Sequence, residues 1–254
     1  MKYMGSKSRI KKYIVPILQK IINYNDIDIY IEPFVGGANV IDSVRCNNKI
    51  GGDNSEPLIE LLKHVRDGGS LPDEVSKELY DDVRNNKDTE KYEKWYIGAI
   101  GFLASYNGRY FDGGYAKTLV SKSGKIRNYY DEAKRNILAQ SENLKDIEFI
   151  FGEYYQFSNI KNALIYCDIP YENTKQYGTS KNFNHGEFWK WVEVMSENNI
   201  VVVSEQHAPK NFKCIWEQDV IRTQDNNKRF EVTEKLFTLN CLTGVLEKNN
   251  YELY

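Results

Sequence analysis

The chain has 254 residues and reads as one large domain, or as one core with a sizeable insertion. It is 41% hydrophobic and 28% charged, as in an ordinary soluble globular protein. No apolar run is long enough to span a bilayer, and the N-terminus lacks the apolar core of a signal peptide. A cytoplasmic location is therefore expected, with no membrane partner. The cysteines Cys46, Cys167, Cys214 and Cys241 are scattered and form no CxxC pair, so reduced, mostly buried thiols are expected rather than a zinc site. The net charge is −2, so a nucleic-acid partner would need a local basic face. Residues 2–12 supply Lys2, Lys7, Arg9, Lys11 and Lys12 without an acid. Residues 117–135 supply six basic residues against Asp131 and Glu132, six minus two giving +4. Either run alone also fits a solvated face.

The polar, Gly-containing stretch Lys2-Tyr3-Met4-Gly5-Ser6-Lys7-Ser8 leads into a helix, because Ile10, Tyr13, Ile14, Ile17, Leu18, Ile21 and Ile22 recur at helical spacing. Ser6 or Ser8 is placed to cap it, and Pro16 predicts a kink or a late start. Residues 27–32 alternate and are β-branched, which predicts a strand. Pro33-Phe34-Val35-Gly36-Gly37-Ala38 follows as a tight turn, with a new helix predicted over 40–46. A strand, a Gly turn and a helix bring backbone close to a cofactor, but the stretch is not GxGxxG, so no dinucleotide fingerprint is present. Residues 49–54 form a short strand ending in Asp53, which is placed either to grip ribose hydroxyls or to cap the helix over 57–66.

From 68 to 145 the pattern changes. Helices are predicted over 74–84, 92–103 and 129–144. Between them lies an irregular stretch, Ser105-Tyr106-Asn107-Gly108-Arg109-Tyr110-Phe111-Asp112-Gly113-Gly114-Tyr115, followed by the basic segment. This reads as an inserted helical subdomain between the two parts of a core, 1–67 and 146–254. Irregular aromatic and basic loops suit DNA contact, with Asn107 and Arg109 for base edges and Lys122, Lys125 and Arg127 for phosphates. A structured surface loop has the same appearance. Strands resume over 148–151, 163–167 and 200–204, with a helix over 183–198. The last two strands are predicted over 213–216 and 234–239, joined by a polar linker over 223–230.

The strand over 163–167 runs into Asp168-Ile169-Pro170-Tyr171, an acid, a rigid turn and a ring at a strand's carboxyl end, where open α/β sheets bind ligands. A strand-ending turn is the bland alternative for this tetrapeptide alone. Taken in order, Lys2-Tyr3-Met4-Gly5-Ser6-Lys7, Glu32-Pro33-Phe34-Val35-Gly36-Gly37-Ala38, Asp53-Asn54 and Asp168-Ile169-Pro170-Tyr171 resemble the motifs of the Dam-type, D12 class DNA adenine-N6 methyltransferases. The tail, residues 201–205 and 233–237, looks like that of short phage members. The resemblance covers nearly the whole chain. It implies a Rossmann-like α/β methyltransferase core with an inserted helical target-recognition subdomain.

The same resemblance implies S-adenosylmethionine as cofactor, with no metal, and double-stranded DNA as partner. Tyr3, Lys7, Phe34, Gly36, Gly37, Asp53 and Asp168 would lie at the cofactor, and Asp168, Ile169, Pro170 and Tyr171 at the chemistry. In the family's scheme the Asp168 carboxylate and the Ile169 carbonyl accept the hydrogens of an extruded adenine's amine, and Tyr171 stacks on the base, with Tyr177 as a possible second ring. Such enzymes serve DNA methylation and restriction–modification, often at GATC. This chain carries Ile169 where the family has Pro. The carbonyl acceptor survives that change, while the rigidity of a proline does not. The alternatives are a non-catalytic DNA-binding relative that has lost turnover, and a methyltransferase acting on RNA or on a protein amide. Monomer and dimer on DNA are both open.

Overall fold

Alternate residues of the central strands are buried on opposite faces of one sheet, as the two-residue period of a strand requires. Tyr30, Leu164, Tyr166 and Val202 face one apolar layer, while Ile31, Ile165, Cys167, Val201 and Val203 face the other. In this computed structural model the structure describes residues 1–120, 124, 126–172, 183–225 and 228–239. The strands are β1 (Ile29–Glu32), β2 (Asn48–Asp53), β3 (Leu119–Val120), β4 (Ile126–Arg127), β5 (Ile147–Phe151), β6 (Ala163–Asp168), β7 (Ile200–Glu205), β8 (Phe212–Asp225) and β9 (Lys228–Leu239). Seven of them form the sheet, in the order β5-β2-β1-β6-β7-β9-β8. The first five in that order run parallel, and β9 is antiparallel to both β7 and β8. This is the Rossmann-like α/β fold with helical insertions expected from the sequence. From β1 the chain builds outward through β2 to β5, then returns to β6 on the other side of β1. The switch point therefore lies between β1 and β6, and the crevice at their carboxyl ends is where such sheets place ligands.

The larger layer holds α1 (Lys11–Tyr24), α2 (Glu56–Arg66), α3 (Lys77–Asn86), α4 (Lys94–Gly98) and α5 (Tyr129–Leu144); α6 (His185–Met195) covers the opposite face. Helix α1 buries Ile14, Ile17, Leu18, Ile21 and Ile22. It begins at Lys11 and runs through Pro16, so no late start occurs. Pro16 is exposed, and the carbonyl it leaves unbonded belongs to Lys12, also exposed to water. Helix α5 is capped by the Asn128 side chain, which accepts from the backbone N–H of Tyr130 and Asp131, and Asp131 and Glu132 suit its positive end. Helices α3, α4 and α5, all from the 68–145 stretch, share one apolar layer with α1 and α2 rather than building a core of their own.

Four predicted elements differ. The helix expected over 40–46 is a single 3-10 turn, Ile41–Ser43, because the chain must re-enter the sheet at β2. The helix expected over 92–103 starts at Lys94 and loosens into a π turn at Ala99–Leu103. The last two strands extend far beyond 213–216 and 234–239 and meet in a long hairpin, so the expected polar linker is mostly strand. In the described part of β8 exposed residues alternate with ones that pack on the core, such as Trp216 and Val220, so the strand carries no long apolar run.

Candidate active site

The crevice is assembled from several chain segments. Loop 33–38 leaves β1 with Gly36 and Ala38 at positive φ, +48° and +54°. The Val35 N–H donates to the Gly52 carbonyl at 2.7 Å, and the Gly36 N–H donates to Asp53 Oδ2 at 3.1 Å. A Cβ at Gly36 would lie 2.9 Å from the Tyr3 ring, and one at Gly37 would lie 2.9 Å from Tyr3 Cβ and 2.7 Å from the Asn39 amide. The two glycines thus let the N-terminal segment lie against the loop. Tyr3 stands near Asp53 and Asp168. Burial first, then these two carboxylates, raises its phenol pKa above the ordinary range.

Asp53 ends β2. Its carboxylate takes the Gly36 N–H on one oxygen and the Ser55 N–H, at 3.0 Å, on the other. Burial outweighs these two bonds and pushes its pKa up to about 6. The N-cap position of α2 is Ser55, so Asp53 braces the loop and the strand tip instead of capping the helix. Phe34 stacks on Tyr154, beyond the tip of β5, with ring centres 5.6 Å apart, and Asn54 donates to Glu153 Oε1 at 3.2 Å.

Asp168 ends β6 at the switch point. Lys7 sits in a 3-10 turn, Lys7–Arg9, capped by Ser6, and reaches the same place from the N-terminus. It is only 5% exposed. Its Nζ lies 2.8 Å from Asp168 Oδ1 and 3.6 Å from Glu234 Oε2, and donates to the Tyr171 hydroxyl at 2.7 Å. Burial alone would lower the ammonium's pKa, but Asp168, Tyr171 and Glu234 outweigh it and raise the pKa. The Tyr171 hydroxyl donates to Glu234 Oε2 at 2.5 Å. Its one proton is then used, so Ser204 Oγ, 3.2 Å away, must be donor to it. Burial is the main cause of the raised Tyr171 pKa.

The turn after Asp168 is held on every side. The Ile169 side chain is 3% exposed and belongs to the apolar layer of Phe188, Val192 and Val203. The Pro170 carbonyl accepts from His185 Nε2 at 2.8 Å, which requires the proton on that nitrogen. The Glu172 N–H donates to Glu205 Oε1 at 2.9 Å. Packing and hydrogen bonds thus fix a segment whose first residue lacks a proline ring.

The predicted residues fall into two groups. Tyr3, Lys7, Phe34, Gly36, Gly37, Asp53 and Asp168 to Tyr171 line or brace the crevice. Lys7 reaches the Asp168–Tyr171 turn itself, and Lys11 pairs with Asp42 at 3.2 Å, so residues 2–12 are not simply a solvated basic face. The second group lies along the 105–129 stretch. Asn107 is exposed, with φ 57°. Arg127 stands 4.6 Å from the centre of the Tyr129 ring, Lys2 5.3 Å from it, and Tyr106 meets that ring edge-on. Arg127 also makes a bidentate pair with Glu132, and Lys134 pairs with Asp73 at 2.9 Å, so the bare charge of this segment is less than the sequence count. Arg109 is half-buried. Lys122, Lys125, Tyr177 and Cys241 lie outside the described residues. Cys167 is buried, but Cys46 and Cys214 are only half-buried, which corrects the expectation of mostly buried thiols.

Sequence reasoning did not single out Glu234, Ser204 or Glu205 as site residues. The available signal was alternation: Glu234 shares a strand face with Leu236 and Thr238, both fully buried. An acid in step with buried residues points inward.

The model of the family described as D12 class N6 adenine-specific DNA methyltransferases matches residues 3–210. The chain belongs to that family. The methyltransferase is 25% identical over 217 residues to the type II methyltransferase M.MjaIII of Methanocaldococcus jannaschii, covering 74% of each chain. It is 25% identical over 209 residues to the type II methyltransferase M.FokI of Planomicrobium okeanokoites, covering 75% of this chain but only 31% of that longer protein. Among solved structures, a conserved hypothetical protein of Streptococcus pyogenes is 6% identical, with a TM-score of 0.33, over 83% of this chain and 85% of that one.

Membership makes the activity S-adenosylmethionine-dependent methylation of adenine N6 in DNA. The crevice suits that cofactor. Carboxylates at the strand tips, Asp53, Glu153 and Asp168, offer acceptors for ribose hydroxyls and negative charge for a sulfonium. The Phe34–Tyr154 pair offers an apolar wall for a flat base. Among the described residues no helix is long and apolar enough to cross a membrane.

Proposed function

We propose that this methyltransferase acts on an adenine extruded from a specific site in duplex DNA, with GATC the first site to test. Asp168 carries the reading: a carboxylate at the carboxyl end of the switch-point strand, beside a fixed turn and a tyrosine. The cofactor supplies an electrophilic methyl group. The adenine amine is a weak nucleophile because its lone pair is delocalised into the ring. Asp168 and the Ile169 carbonyl accept its two hydrogens and favour a tetrahedral nitrogen whose lone pair is free to attack. Acceptors already in place need no reorganisation at the moment of reaction, and a fixed attack geometry supplies much of the remainder. As the nitrogen–carbon bond forms and the carbon–sulfur bond breaks, Asp168 takes the surplus proton. Extrusion costs a few kcal/mol, part of which the Tyr171 ring returns by stacking.

Tyr3, Phe34, Gly36, Gly37 and Asp53 shape the cofactor side. Residues 68–145 read the DNA, with Asn107 and Arg109 toward base edges and Lys122, Lys125 and Arg127 toward phosphates. The edge contact of Tyr106 with Tyr129 supports this division, because it brings the 106–109 turn beside Arg127.

The test is incubation with labelled cofactor and unmodified duplex DNA, followed by digestion. Label in N6-methyladenine is expected, and its disappearance in Asp168→Ala. Cofactor binding without label in DNA overturns the reading, and label retained by Asp168→Ala overturns the site.

A further inference from the structure

Glu234 is a buried acid, 2% exposed, from the antiparallel strand β9, and nothing in the scheme above uses it. It meets the same lysine as Asp168 does. Its Oε2 accepts the only proton of the Tyr171 hydroxyl, at 2.5 Å, and lies 3.6 Å from the Lys7 ammonium. Lys7 therefore stands between two carboxylates, bonded to Asp168 at 2.8 Å and within a short side-chain movement of Glu234. Here lies a conflict. The Asp168 oxygen held by Lys7 belongs to the carboxylate assigned to the adenine amine, and an ammonium bonded there weakens it as an acceptor. A buried ammonium cannot simply let go, because a charge without a partner in an apolar surrounding is costly. It can exchange one carboxylate for another.

We propose that Glu234 is a positioning residue for methyl transfer: it fixes the Tyr171 ring through the phenol proton and receives the Lys7 ammonium when Asp168 takes the adenine amine. This rests on the assignment of Asp168 as the amine acceptor. The two roles fit one geometry. The Tyr171 hydroxyl bridges Lys7 and Glu234, so a shift of Lys7 toward Glu234 keeps the ammonium bonded to that hydroxyl throughout. No proton changes owner in the exchange, and the buried charge of the cluster stays constant.

Glu234→Gln separates the charge from the shape, since the amide oxygen still accepts the phenol proton while the carboxylate that draws Lys7 is gone. The expected result is a fall in kcat of roughly tenfold or more, with the cofactor Kd and the KM for DNA within about twofold of wild type. Wild-type kcat in a variant that binds cofactor and DNA normally overturns the proposal. A loss confined to KM overturns it as well. Because an altered buried cluster can melt the protein, the second measurement needs no variant. In a crystal structure of the wild-type protein with duplex DNA and the demethylated cofactor product, Lys7 Nζ should lie within hydrogen-bond distance of Glu234 and away from Asp168. A Lys7–Asp168 pair unchanged at 2.8 Å, with the adenine seated, overturns it. Failure of the parent reading looks different, because the wild-type protein would then place no label on adenine at all.

Discussion

Lys7 Nζ, from the N-terminal turn, and Asp168 Oδ1, from the end of β6, stand 2.8 Å apart in a crevice that buries the lysine almost completely. The N-terminal segment thereby reaches the proposed reaction centre. Removing the ammonium with Lys7→Met leaves Asp168 and Glu234 facing each other without a cation. The expected cost is about 3 kcal/mol or more of stability, seen as a lower denaturation midpoint in urea, together with loss of methyl transfer. An unchanged midpoint would show that the pair contributes nothing to the fold.

Ile169 replaces the family's proline, and its side chain is an anchor in the layer beneath α6. Ile169→Ala keeps the backbone carbonyl but removes the anchor, so a loss of about 2–4 kcal/mol is expected from the buried volume alone. Turnover should fall as well, because the carbonyl then moves with its turn. Stability by chemical denaturation and kcat on the same preparation check both; retention of either at the wild-type level contradicts the role given to packing.

Gly108 links the 105–115 stretch to the N-terminal motif. A Cβ there would sit 2.5 Å from the Lys2 carbonyl oxygen and 3.2 Å from Tyr3 Cα, at φ +66°. Backbone cannot move aside as a flexible side chain does. Gly108→Ala is expected to lower the melting temperature and weaken cofactor binding by displacing Tyr3, although residue 108 belongs to the proposed DNA-reading stretch. Calorimetric titration with cofactor decides it, and an unchanged Kd would rule out mechanical contact between the two regions.

Asp53 gives a pH dependence with two opposite signs. Its folded-state pKa is about 6, above the ordinary value of 3.8. Between those values the folded chain holds a proton that the unfolded chain has released. The stability from this group is therefore fully present below pH 3.8 and is lost as pH rises through 6. The carboxylate proposed for the ribose hydroxyls is the ionised form, so cofactor affinity should fall as pH drops through 6. Asp53→Asn should flatten that affinity profile near pH 6, and a profile that keeps its step would assign it to another group.

The central parallel strands over 163–167 and 200–204 were legible because they are almost fully buried and read as continuous apolar runs, while the outer β5 alternates. The site motifs were legible because they sit where those strands end. The short 3-10 turn at Ile41–Ser43 was not, since one turn and three turns of helix begin with the same apolar spacing. The long β8–β9 hairpin was not, because strand pairing is set by a partner rather than by the segment's own pattern. Glu234 was missed for the same reason. The alternation around it marks the side chain as inward-pointing but not what it meets there, which follows from β9 pairing beside β7.

That placement has a consequence for what the parallel part of the sheet holds by itself. The parallel core through β7 brings Asp168, Lys7 and the cofactor loop together from the first 205 residues. The acid that accepts the Tyr171 hydroxyl's hydrogen bond is supplied by β9, which joins the sheet beside β7 and carries β8 on its outer edge. The hold on the proposed stacking ring therefore depends on the antiparallel addition to the sheet and not on its parallel part alone.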